Sequence, residues 1–351
     1  MVRADQKPGR RRAEPEPGNG AGARTRWARS PRAWGALWLL VAGIAALGLA
    51  TGWTVWDEPR WLSTAGAVTV LTLYAWGLAF RTGGRPVLTG ALALSLSLAA
   101  VLSERPVLVA GAAVGTAVVA AVLGVLSTTP SASFAGVVRE CVMATAIAAL
   151  GAFAVEAYQA QVSLERVKYL VLGLSLLGAL SLAYRLGGGL HGLGRRGATA
   201  LVSGLGLLLV TLAYTEALSR WGSPGMIAGV DDTIRGIRSS IGAVPRPVAV
   251  LLGFPALAWG VSARARRRQG WWGCAFGAAG LAVVTVSLLN PTVSLLETGL
   301  MVLYSAILGL LLGYLVIRAD QYLTGTRGRR ARQIEEASAH RPEPGRLQPL
   351  L

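Results

Sequence analysis

Long apolar runs alternate with short polar joints along most of this chain. Ten runs stand out, at 33–51, 61–80, 86–102, 106–126, 139–158, 167–185, 198–217, 247–262, 271–289 and 291–317. Most approach the ~20 apolar residues that one helix needs to cross a bilayer. Strands that cross a membrane are ~10-residue segments of alternating polarity, and these runs do not alternate. A helix also satisfies its own backbone N–H and C=O groups, which lipid cannot do. The pattern predicts an all-α fold: a polytopic membrane bundle of about ten transmembrane helices at 33–317. Ten spans are compatible with two halves of five, which an odd repeat would make inverted. The flanks, 1–32 and 318–351, are polar and arginine-rich and are expected to be disordered basic tails. Gly48-Leu49-Ala50 resembles a signal-peptide cleavage site. The charged lead is long, however, and the run exceeds the usual ~7–15 residues, so it is expected to stay as a span.

Several runs open with helix-entry chemistry. Pro86, Pro106 and Pro247 each stand where a missing N–H costs nothing. Asn290-Pro291 is expected to cap and start the last span, closing a tight hairpin. Span eight is short and carries Gly253-Phe254-Pro255, which predicts a kink or a broken helix. One segment follows another rule. Between 224 and 242, Ile227, Val230, Ile234, Ile237 and Ile241 recur at steps of three and four. This predicts an amphipathic helix on a membrane surface, entered through Ser223-Pro224. On its polar side Asp231 and Asp232 lie four and three residues before Arg235.

Composition and charge agree. Apolar residues make up 53% and charged ones only 15%, against about 25% charged in soluble domains. A soluble enzyme and a disulfide-rich secreted chain are thereby excluded. Lysine and arginine total 34 against 17 acids, and only Lys7 and Lys168 are lysines; this bias points to a GC-rich bacterial source. The net charge of +17 does not call for nucleic acid, because basic residues flanking spans set orientation and meet anionic lipid headgroups. With both termini in the cytoplasm, alternation places 26 basic residues inside and eight outside. That asymmetry predicts a multi-pass protein of the cell membrane with both ends cytoplasmic. Trp53, Trp56, Trp61, Tyr158 and Trp221 then fall at the outer interface. Trp34, Trp259, Trp271, Trp272 and Tyr184 fall at the inner one, as an aromatic belt. Cys141 and Cys274 lie near the cytoplasmic face and should remain thiols. The motifs Gly111-x-x-x-Gly115, Gly273-x-x-x-Gly277 and Gly309-x-x-x-Gly313 read as intrachain helix packing.

Candidate chemistry is sparse. The sequence carries no phosphate loop, HExxH or GxSxG motif, and no Cys/His cluster at His191 or His340. No cofactor, metal or catalytic set is called for. What remains is charge inside or beside the spans, costly in lipid and so a pointer to function. Glu297 is the clearest case, six residues past Pro291, with Ser294, Met301 and Tyr304 on its face. Glu156 and Glu216 lie near the outer ends of spans five and seven, and Glu140 near the inner end of span five, where it could face headgroups. Arg235 and Arg238 could meet a phosphate or carboxylate. Substrate or ion-binding candidates are therefore Glu297, Glu216, Glu156, Arg235 and Arg238. The leading expectation is a transporter or flippase for a small or lipid-linked substrate. A second is a non-catalytic component of an envelope-assembly or secretion complex in the membrane. A third is an enzyme acting on a lipid-linked substrate at the outer face. A solute-accessible central cavity favours the first, and a solid bundle with an apolar lateral groove the second. A pocket joining Arg238 to Glu216 or Glu297 favours the third.

Overall fold

The computed structural model describes residues 31–54, 61–187, 189–266, 269–324 and 343–350. These residues are almost entirely helical, with no strand among them. The helices are α1 (Pro31–Thr54), α2 (Trp61–Arg81), α3 (Pro86–Ser103), α4 (Pro106–Leu126), α5 (Phe134–Ala157) and α6 (Leu164–Leu186). They continue as α7 (Gly189–Trp221), α8 (Pro224–Ile241), α9 (Phe254–Arg264), α10 (Gly270–Thr285) and α11 (Leu295–Thr324). Eight of these regions are long and apolar enough to cross a membrane, and two shorter apolar stretches cover Trp38–Ala50 and Val248–Arg264. Each coincides with one of the ten apolar runs. The fold is an all-α helical bundle of membrane type, with α8 as the amphipathic eleventh helix.

Helix starts follow local chemistry, with two departures from expectation. Pro86 and Pro106 occupy the first turns of α3 and α4. α5 begins five residues before its apolar run, because the Ser133 hydroxyl accepts the Gly136 N–H at 3.2 Å and caps it. The last helix does not start at Pro291. Residues 291–294 form a turn, and α11 begins at Leu295. There the Ser294 hydroxyl accepts the Glu297 N–H at 3.2 Å, and Ser294-Leu-Leu-Glu297 has the spacing of a capping box. Glu297 thus sits in the first turn of α11, at the bundle's end. The break in span eight is a turn of π-helix over Val248–Gly253 that passes into α9 at Phe254-Pro255. Proline lacks the N–H that would bond back into the preceding turn.

The core is built around α10, where every residue but Val283 is buried. It packs against α4, α5, α6, α7, α9 and the π turn. Glycines on α10 and on the elements facing it allow this crowding. A Cβ on Gly253 would lie 2.3 Å from the Gly280 Cα, and one on Gly260 would lie 2.4 Å from the Cys274 backbone nitrogen. Gly273 and Gly277 pack on Trp259 and Leu257, and Gly309 and Gly313 on Phe254 and Ala258. These two motifs serve intrachain packing, as expected. Gly111 and Gly115 do not: a Cβ on either meets nothing within 4 Å, because that face of α4 points away from the bundle. α4 and α10 are the fourth and ninth apolar segments, the positions that a repeat of five would pair. The α2–α5 contact of the first half has no comparable α7–α11 contact in the second.

Some residues expected in the interfacial belt lie inside. Trp271, Trp272 and Tyr158 are buried, while Trp61 and Trp221 are largely exposed. Both cysteines are free and buried.

Candidate functional site

At one end of the bundle, α8 and the start of α11 meet. The side chains predicted to share the Glu297 face do so, and that face receives the chain between α8 and the π turn. An Arg238 Nη2 donates to the Glu297 carboxylate at 2.6 Å. The Tyr304 hydroxyl donates to the Ile241 carbonyl at 2.9 Å. The Arg246 N–H donates to the Ser305 hydroxyl at 2.9 Å, and its Nε reaches the Met301 sulfur at 3.0 Å. Burial pushes the Arg246 guanidinium below its usual pKa, and the Glu297 carboxylate works against that shift. Helix α8 spans Pro224–Ile241, and its apolar face is not covered by the bundle: Ile234, Ile237 and Ile241 remain partly exposed. Such a face suits a membrane surface.

The other candidates stay apart. Arg235 pairs with Asp232 at 2.5 Å, one turn away on the same helix. Glu216 pairs with Arg220 on α7. Glu156, half-buried on α5, makes no ion pair among the described residues. Among the described residues, Glu216 and Glu297 thus pair with different arginines, and the Arg238–Glu297 pair also lies within electrostatic reach of Arg246.

The opposite end holds a charged cluster that the sequence reading missed. The last carbonyls of a helix have no intrahelical partner, and at the end of α4 those carbonyls collect arginines. Arg81, closing α2, donates from Nε and Nη2 to the Leu126 carbonyl at 3.2 and 2.9 Å. Arg264, closing α9, donates to the Thr128 hydroxyl at 3.1 Å and the Thr128 carbonyl at 2.8 Å. It stacks on Trp271 at 3.9 Å, a cation–π contact that occupies the expected belt residue. Glu140 does not face headgroups. It and Arg264 are fully buried. The Glu140 carboxylate accepts the Thr129 N–H at 2.8 Å and Arg139 at 3.0 Å.

Glu343–Leu350, part of the segment expected to be a disordered tail, lies on this cluster; 325–342 falls outside the described residues. Arg81 Nη1 donates to the carbonyls of Gly345 and Gln348 at 2.8 and 2.6 Å, and the Leu350 N–H returns a bond to the Arg81 carbonyl at 2.8 Å. Arg346 donates to the Ser127 carbonyl at 2.9 Å and to Glu140 at 2.7 Å. Glu343 lies 3.7 Å from the Arg264 Nε, which makes no hydrogen bond.

From the Arg264 end toward the middle of the bundle, a groove of about 510 Å³ runs between α7 and α11. Its floor includes Trp259 and Phe276 on α9 and α10, and small side chains such as Ala200, Ser203, Ala256 and Ala319 line its walls. Asp320 and Gln269 stand among its few polar residues. No protein-family model, curated protein or solved structure matches the chain.

Proposed function

We propose that this chain is a non-catalytic component of a membrane assembly, and that its α7–α11 groove receives a transmembrane helix of a partner protein. The observation that carries this reading is the combination of a solid centre and a lateral opening. α10 fills the middle of the bundle with backbone-to-backbone contacts, whereas the groove faces the side where lipid or another helix lies. Without a hydrophobic driving force between helices in lipid, association depends on close packing, and small wall residues permit it. The location that fits is the cell membrane, with the Arg264 end and both termini cytoplasmic. Supporting that orientation, Arg81, Arg139, Arg264 and Arg346, assigned to one side by alternation, gather at one end.

A second reading, a flippase for a lipid-linked substrate, is favoured by the π-to-α discontinuity at Gly253-Phe254, which adjoins the groove. Broken helices commonly border substrate sites in transporters. Photo-crosslinking separates the two. A photoreactive residue at Ser203 or Val316, in native membranes, should yield a protein adduct of discrete mass. Val87, exposed on α3, should yield none, and Ala256→Trp should abolish the groove adducts by filling it. Lipid adducts alone at both groove positions would sink the assembly reading in favour of the flippase.

A further inference from the structure

We propose that the cluster of Arg81, Arg264 and Glu140 is a binding site for a peptide folded in a turn, and that Glu343–Leu350, turned at Gly345–Gln348, is its built-in, detachable ligand. The site has the chemistry of peptide recognition. Arg81 reads two backbone carbonyls, of Gly345 and Gln348, and its own carbonyl takes the Leu350 N–H. The remaining contacts read charge. Buried Arg264 faces the Glu343 carboxylate, and buried Glu140 holds the Arg346 guanidinium. An acid three residues ahead of an arginine is thus met by a cation and an anion in matching order. The ligand supplies what the site lacks, since a buried charge without a counter-charge is strongly disfavoured.

Two features mark the segment as a latch and not as one more piece of the core. Most of its contacts are polar: Leu347 is exposed, and half-buried Leu350 is the leucine that packs against the apolar core. The acidic contact is also unfinished. The Arg264 Nε and the Glu343 Oε1 are both buried, and neither makes a hydrogen bond. A partner peptide presenting a carboxylate and an arginine at the same spacing, and completing that bond, would compete for the site. Displacement would expose Arg264 and Glu140 at this end of the bundle.

Hydrogen exchange on the full-length protein tests this. The amides of Gln348 and Leu350 donate within the docked segment and to Arg81, so they should exchange slowly in the wild type. Glu343→Gln and Arg346→Gln should each speed their exchange at least tenfold, while the amides in the middle of α10 stay protected and the thermal midpoint of the bundle falls by less than for Glu140→Ala. Millimolar ¹³C-labelled peptide of residues 343–351 should do the same to the wild-type segment. The proposal is overturned if the wild-type amides are unprotected, or if neither variant nor peptide changes their exchange. It is equally overturned if the segment amides exchange no faster than those in the middle of α10, because the segment is then a fixed part of the core.

Discussion

Replacing Glu140 by alanine tests the charged cluster as a source of stability. The carboxylate is fully buried and has three partners: the Thr129 N–H, Arg139 and Arg346. Their weights differ. The Arg139 side chain is 70% exposed, so its pairing contributes only about 0–1 kcal/mol. The Thr129 N–H loses its carboxylate acceptor, a cost of about 1–3 kcal/mol. Arg346 keeps 33% of its side-chain surface in water, so its loss falls below the ~3–5 kcal/mol of a fully buried broken pair. Together these give about 3 kcal/mol. At ~2–4 °C per kcal/mol for chains of 150–250 residues, and less for longer ones, the midpoint should fall by about 4–8 °C. The assay follows from the cysteines. Cys141 and Cys274 are both buried, so a thiol-reactive fluorogenic dye stays dark until the bundle opens. Glu140→Gln keeps an acceptor for Thr129 and should lose about half as much. Glu216→Ala, which breaks a surface pair one turn apart, should shift the midpoint by under about 1 °C. If Glu140→Ala melts with the wild type, the cluster contributes no stability and the reasoning fails.

Two further predictions concern packing and the opposite end. Gly253→Ala places a Cβ against Gly280 backbone atoms and should cost at least about 1–3 kcal/mol by overpacking. Gly111→Ala meets open space and should be neutral or stabilising by up to ~1 kcal/mol through helix propensity; equal effects in the same dye assay would refute the contact between the π turn and α10. A double-mutant cycle with Arg238→Gln and Glu297→Gln should give a coupling of about 0.2–1 kcal/mol, since both partners keep contact with water. That coupling should shrink in 0.5 M salt, and a larger, salt-independent value would mean that the pair is sealed in the bundle.

Apolar run length made the helices legible, and spacing made their faces legible. The steps of three and four from Ile227 to Ile241 located α8. The i+4 and i+7 positions from Glu297 found Met301 and Tyr304, both of which receive the Ile241–Arg246 chain. The start of α11 was misread because Asn290-Pro291 is a strong signal. Ser294 with Glu297 three residues later is a second such signal, and it is the one that caps the helix. The charged cluster was hidden for a different reason. Arg81 bonds to residues 264 and 267 positions away, and no local pattern encodes that. Its arginines also look like the basic residues that set orientation at any span end. The available clue was Glu140, a lone acid in the first turns of a span among basic joints. Trp271 was likewise hidden, since a tryptophan at a span end suits an interface and an arginine stack equally well.

The membrane bundle with two chemically distinct ends is tested most directly by thiol labelling of intact cells. Single cysteines placed at Ser103, Ser163 and Ser239, all exposed at the Arg238 end, should react with an impermeant maleimide. A cysteine at Thr82, beside Arg81 at the Arg264 end, should react only after the membrane is permeabilised. Labelling of Thr82→Cys in intact cells, or protection of the other three, would contradict the account.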